Sequence, residues 1–278
     1  MAGAANELQR PPAKRGMYIL PSLFTAGNIA IGYYIIIQSI RGSTLADPLN
    51  QVYFDHAALA IAFAILFDGL DGRIARMTNT SSEFGRELDS LADVITFGVA
   101  PSLLAYLWGV RQVEASGYPI VHDRLLHFGV VICFLFLICG ACRLARFNIS
   151  VNPQPRNPGR ADRKYFVGMP IPAGAGVIGA VIHFESGSPV STLWLSMVWL
   201  GLVAFTGFLM VSSWRFWSGK EIDMGTRKPG RFLVLVVVVL GVIFEWHKIA
   251  LMVLALGYLM SGVLARLAYS WKRRFAAA

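Results

Sequence analysis

FDGLDGRIARMTNTSSEFGRELDSLADVITFG, residues 67–98, places Asp68, Asp71, Asp89 and Asp93 in a chain that is otherwise apolar enough to live in lipid. A carboxylate in mid-helix costs about 2.5–3.5 kcal/mol on membrane-insertion scales, so four of them need a reason. On a helix turning about 100° per residue, Asp68, Gly72 and Ala75 lie within about 60° of one another, with Asp71 and Arg76 flanking them. Gly85, Asp89 and Asp93 step by four and share a face of the next helix. The polar turn TNTSS lies between, with Thr80, Ser81 or Ser82 available as an N-cap. So short a connection predicts antiparallel neighbours. Asp68 lies nine residues before Met77 and Asp93 nine after Phe84, which puts both about 13 Å from the turn end of their helix. Four carboxylates therefore converge at one level of one hairpin, inside the membrane near its inner face.

The rest of the chain supplies that membrane. Of its 278 residues 55% are hydrophobic and 15% charged, and mean hydropathy is +0.56; soluble domains carry about 25% charge. Apolar runs near the roughly 20 residues that span a bilayer recur throughout. The pattern predicts an all-α polytopic membrane protein of about eight helices, at 18–40, 54–78, 84–109, 125–149, 170–185, 191–213, 230–245 and 248–271. The fifth and seventh are short, and Trp246-His247-Lys248 breaks the last apolar stretch into a hairpin. With both termini inside, 21 of the 25 basic residues fall in inner segments, leaving Arg41, Arg111, Arg124 and Lys248 outside. That split obeys the positive-inside rule. The net charge of +9 then needs no nucleic acid, since anionic lipid headgroups are partner enough. Residues 1–16 read as a flexible inner arm, and the hydrophobic stretch after them as a retained helix, lacking a small-x-small cleavage site. Cys133, Cys139 and Cys142 all fall in the fourth helix, where they read as small apolar packing residues.

Three explanations compete for the acidic cluster. Internal ion pairing with Arg73, Arg76 and Arg86 is poor, because like charges at i,i+4 repel and buried pairs seldom stabilise. A cation pathway would spread carboxylates across the full membrane depth and break the helices. Metal binding fits better: oxygen ligands without His or Cys favour Mg²⁺, Mn²⁺ or Ca²⁺ over zinc. Two such ions balance four carboxylates and leave positions open for phosphate oxygens. Small residues at 72, 75 and 85 let a bulky ligand approach the backbone, and Arg76 offers a planar fork to phosphate.

Asp68-x-x-Asp71-Gly72-x-x-Ala75-Arg76, then eight residues, then Gly85-x-x-x-Asp89-x-x-x-Asp93 resembles the signature of the CDP-alcohol phosphotransferases at every fixed position. The resemblance implies a six-helix membrane core that usually dimerises and displaces CMP from a CDP-linked donor with an alcohol. It implies that Asp68, Asp71, Asp89 and Asp93 surround two divalent ions, that Gly72, Ala75, Arg76 and Gly85 line the CDP site, and that Asp93 is the general base. LPSLFTAGN (20–28), GACRLARFN (140–148) and YFVGMPIPAGAG (165–176) are similar to the phosphatidylserine synthase branch, as are two extra helices after the core. The expected organisation is then an N-terminal arm (1–16), a six-helix core (17–215) and a C-terminal hairpin with a basic tail (216–278).

That branch implies CDP-diacylglycerol and L-serine as substrates. The expected setting is the bacterial cytoplasmic (inner) membrane, with the site facing the cytoplasm and a homodimer as the assembly. The serine carboxylate needs a cation near the metals; Arg143 and Arg146 at a helix end, with Asn148 and Lys164, are the candidates. Thr25 and Asn28, polar in an apolar first helix, are candidates for the nucleotide. Another acceptor of the same family (inositol phosphate, glycerol phosphate or choline) stays open, because Arg156, Arg160 and Arg163 add a cationic cluster.

Overall fold

The computed structural model describes residues 19–45, 49–78, 83–114, 119–151, 165–217 and 245–275. Its helices are α1 (Ile19–Thr44), α2 (Leu49–Thr78), α3 (Glu83–Asp93), α4 (Ala100–Gly109), α5 (Pro119–Val151), α6 (Ile171–Phe184), α7 (Leu193–Val211) and α8 (His247–Phe275). A π-helical segment, Val94–Val99, joins α3 to α4 without a break. Among the described residues six spans are long and apolar enough to cross a membrane, and α6 is apolar but shorter. The predicted helix at 230–245 lies outside the described residues, as do the N-terminal arm, the TNTSS cap and Lys164.

Proline marks several starts. Its fixed φ and missing N–H suit the first helical turn, and Pro119 opens α5, Pro101 lies in the first turn of α4, and Pro172 in the first turn of α6 behind Pro170. Two expected starts are corrected. The second predicted helix begins at 49 rather than 54. The fourth predicted helix begins at 119 rather than 125, because polar His122, Asp123 and Arg124, read as loop, continue the helix beyond its apolar stretch. His122 Nε2 lies 3.0 Å from the Val113 carbonyl, tying that extra turn to the end of α4.

α1 packs along α2, α2 along α6, α5 along α7, and α6 along α8. Phe54, Phe97, Phe136, Ile61, Leu104 and Ile178 are fully buried at the centre. Small residues set the closest approaches: a Cβ on Gly179 would meet the Ala58 carbonyl at 3.1 Å, so α6 and α2 touch backbone to backbone. Much apolar surface elsewhere faces outward, including Leu66, Ile120, Phe128, Trp194 and Val253, as expected where the solvent is lipid.

Each end of the bundle is fastened. At the end away from the acidic cluster, Trp108 Nε1 donates to the Gly187 carbonyl (3.2 Å) and Gln112 to the Ser43 carbonyl (3.3 Å). There Asp55 Oδ1 lies 2.6 Å from His183 Nδ1, and His183 Nε2 lies 2.7 Å from His247 Nδ1. This Asp–His–His chain, centred on the buried His183, links α2, α6 and α8, and Lys248 Nζ adds a bond to Ser186 Oγ (2.7 Å). At the cluster end, two strands that the sequence reading did not foresee, β1 (Tyr165–Val167) and β2 (Arg215–Trp217), pair antiparallel with Phe166 opposite Phe216. Gly168 follows β1 at φ +79°, with Met210 and Ser212 carbonyls so close that no side chain would fit.

Candidate active site

α2 and α3 bring three of the four expected carboxylates together. Ligand oxygens of Asp68, Asp89 and Asp93 all lie within 4.8 Å of one another, and all three residues are half-buried. Like charges so close in a low-dielectric wall repel strongly unless a cation joins them. The all-oxygen donor set suits a hard divalent ion. Asp71, Gly72, Ala75 and Arg76 follow on α2, their side chains lying outside the described set. Gly85 opens the Asp-bearing face of α3.

The π segment begins at the residue after Asp93. Such segments often accompany functional sites, and this one turns Thr96 into α1, where its Oγ1 donates to the Asn28 carbonyl (2.9 Å). Asn28 is fully buried, and among the described residues neither its side-chain nitrogen nor its side-chain oxygen has a hydrogen-bond partner. An unmet buried amide costs about 1–3 kcal/mol per group. Its neighbour Gly27 abuts Phe67, the residue before Asp68, at 3.0 Å from an added Cβ. Asn28 thus sits between the two carboxylate-bearing helices with donor and acceptor both free for a ligand. Thr25, one turn earlier, is also buried.

α5 brings the cations, and they divide. Arg143 is buried, with its guanidinium carbon 5.0 Å from the Phe147 ring centre, and it interacts electrostatically with Asp93. Asn148 Nδ2 donates to Ser90 Oγ (2.8 Å), the residue after Asp89, and so ties α5 to the acidic face. Arg146 points elsewhere. Its Nη1 donates to the Val211 carbonyl (3.1 Å), and its Nη2 to the carbonyls of Val167 (3.1 Å), Ser212 (3.1 Å) and Met210 (3.4 Å). It caps the C-terminus of α7 and clamps β1, a placement that suits a structural fastener better than a serine contact.

Residues 18–203 match the CDP-alcohol phosphatidyltransferase family. The chain belongs to that family. CDP-alcohol phosphatidyltransferase relatives align beyond the matched region. The chain is 35% identical over 254 residues to a Helicobacter pylori protein named CDP-diacylglycerol–serine O-phosphatidyltransferase, covering 89% of this chain and 91% of the relative. Proteins of the same name from Saccharomyces cerevisiae (38% over 141 residues; 51% and 45% of the two chains) and Methanocaldococcus jannaschii (37% over 147; 53% and 57%) also align.

Ser90, Thr96 and the clamp around Arg146 escaped the sequence reading. Ser90 carried a usable signal, since it neighbours Asp89 on a helix already assigned to the site. Thr96 carried none, because its role depends on the switch to π geometry. Cys133, Cys139 and Cys142 are free thiols; Cys133 is buried as a packing residue would be, Cys139 is half-buried and Cys142 is exposed.

Proposed function

We propose that this chain transfers the phosphatidyl group of CDP-diacylglycerol to the hydroxyl of L-serine, releasing CMP. The observation that carries the reading is the convergence of Asp68, Asp89 and Asp93 within 4.8 Å, in a chain aligned over most of its length with relatives of that name. Asp68, Asp71, Asp89 and Asp93 would hold two divalent cations, Mg²⁺ or Mn²⁺ with Ca²⁺ as a third candidate. Bound there, the ions supply charge neutralisation on the diphosphate and on departing CMP.

The chain's own residues divide the remaining work. Asn28 and Thr25 hydrogen-bond the nucleotide, Arg76 grips the diphosphate, and Gly72, Ala75 and Gly85 leave room for it. Asp93 takes the serine hydroxyl proton as that oxygen attacks the β-phosphorus, and the bond from this phosphorus to the bridging oxygen breaks. Arg143, buried beside Asp93, receives the serine carboxylate in a charge-assisted pair, with Asn148 and Lys164 at the rim. The basic ends flanking the cluster support a site opening to the cytoplasm across an inner membrane, with the acyl chains in lipid and serine arriving from water. Dimerisation follows the family habit, as a homodimer.

The test is purified enzyme in mixed micelles with CDP-diacylglycerol and a panel of alcohols, following CMP release. Serine should give the highest kcat/KM. Equal or greater release with glycerol phosphate, inositol phosphate or choline would overturn the acceptor assignment while leaving the family untouched.

A further inference from the structure

The family match ends at residue 203, and α8 lies wholly beyond it, yet α8 reaches the site. Leu251, Ala255 and Tyr258 share one face, at steps of four and three, and wall a cavity of about 380 Å³ between α2, α6 and α8. Among the described side chains lining this cavity only Tyr258 carries a polar atom. Phenylalanine would fill the same space without a hydroxyl to satisfy, and a hydroxyl in an apolar wall is costly unless paired. The phenol interacts electrostatically with Arg143, which in turn interacts with Asp93. The Phe147 ring packs on the same guanidinium. We infer that Tyr258 is a positioning residue: its phenol and the Phe147 ring hold the Arg143 guanidinium beside Asp93, where it receives the acceptor's carboxylate.

The rest of α8 fits this role, because its height and rotation are fixed on both sides of Tyr258. His247 is bonded into the Asp55–His183 chain and Lys248 to Ser186. Eleven residues separate His247 from Tyr258, a rise of about 16 Å and a net rotation of only about 20°, so the two share a face. Beyond Tyr258, Gly262 packs so tightly on the Phe216 ring that a Cβ would overlap it. The Phe216 ring also lies 5.7 Å from the Tyr258 ring centre.

This inference rests on Arg143 receiving the acceptor carboxylate, and a mutant cycle on the full-length enzyme separates the two ideas. Tyr258→Phe should raise the serine KM roughly tenfold, the scale of one hydrogen bond to a charged group, while the CDP-diacylglycerol KM stays within about twofold. Arg143→Gln should raise the serine KM further, and adding Tyr258→Phe to it should change nothing more, because the phenol acts through the arginine. Independent, multiplicative effects in the double variant, equal shifts in both KM values, or no shift in Tyr258→Phe would overturn the positioning role. If Arg143→Gln leaves the serine KM unaltered, the acceptor assignment of Arg143 falls first. In that case a raised KM in Tyr258→Phe alone would overturn the relay through Arg143. If wild type prefers another alcohol, the same cycle run on that alcohol decides the Tyr258–Arg143 unit independently of serine.

Discussion

Replacing Arg146 by methionine keeps most of its aliphatic stem and removes the guanidinium that meets four carbonyls. Three of these, from Met210, Val211 and Ser212, are among the last carbonyls of α7 and its cap, groups with no partner inside the helix. A hydrogen bond from a charged donor is worth about 1.5–3 kcal/mol when sheltered. One nitrogen here is shared among three acceptors, and the side chain is exposed, so water compensates much of the loss. Two effective bonds at about 1 kcal/mol each give about 2 kcal/mol, including the favourable placement of a cation at a helix C-terminus. At about 2–4 °C per kcal/mol for a chain of this scale, the melting temperature should fall by about 4–8 °C. Thermal unfolding in detergent micelles measures this, and Arg146→Lys should recover part of it by keeping the charge but not the fork. CMP-release kinetics on the same preparations should show a serine KM within about twofold of wild type. An unchanged melting temperature with a serine KM raised tenfold or more would refute the clamp and return Arg146 to the acceptor site.

Asp93→Asn should abolish CMP release while CDP-diacylglycerol still binds, as read by donor-dependent protection against thermal unfolding; retained turnover would remove Asp93 from the role of base. Chelation with EDTA should stop CMP release, and Mg²⁺ or Mn²⁺ should restore it, whereas unaltered release in chelator would remove divalent ions from the reaction. Gly179→Leu should destabilise by about 1–3 kcal/mol through overpacking, since even a Cβ meets the Ala58 carbonyl at 3.1 Å; a melting temperature at or above wild type would refute the close α2–α6 contact. His183→Ala should cost about 1–3 kcal/mol by leaving Asp55 without its bond, visible as earlier proteolysis of α8; an unchanged cleavage rate would mean that α8 is held elsewhere.

The acidic hairpin was legible because it is local. Asp89 and Asp93 are one turn apart, Asp68 is joined to them by a single short turn, and helical periodicity suffices to bring such residues to one face. Arg143 and Arg146 show where that reasoning stops. Both stand at the same helix end, three residues apart and alike in sequence, and only contacts with partners far along the chain separate them. Arg146 meets Val211, 65 residues on, while Arg143 interacts electrostatically with Tyr258 and Asp93. The three-residue strands were missed because YFV and RFW are too short to show alternation; they hold as a pair. The Asp55–His183–His247 chain was invisible for the same reason, being assembled from three helices whose histidines are each unremarkable in their own segment.

The π segment at Val94–Val99 has a consequence for how this helix tolerates change in length. A π turn holds more residues than an α turn, so α4 emerges out of phase with α3, by about 100° for each residue accommodated. One continuous span therefore serves two unrelated directions, with Asp89 and Asp93 aimed at the carboxylate cluster and Leu104 and Trp108 aimed at the packed interior. Removing a single residue from 94–99 would regularise the backbone and, by doing so, swing one of those two sets off its target. In this stretch a smoother helix would be a worse enzyme.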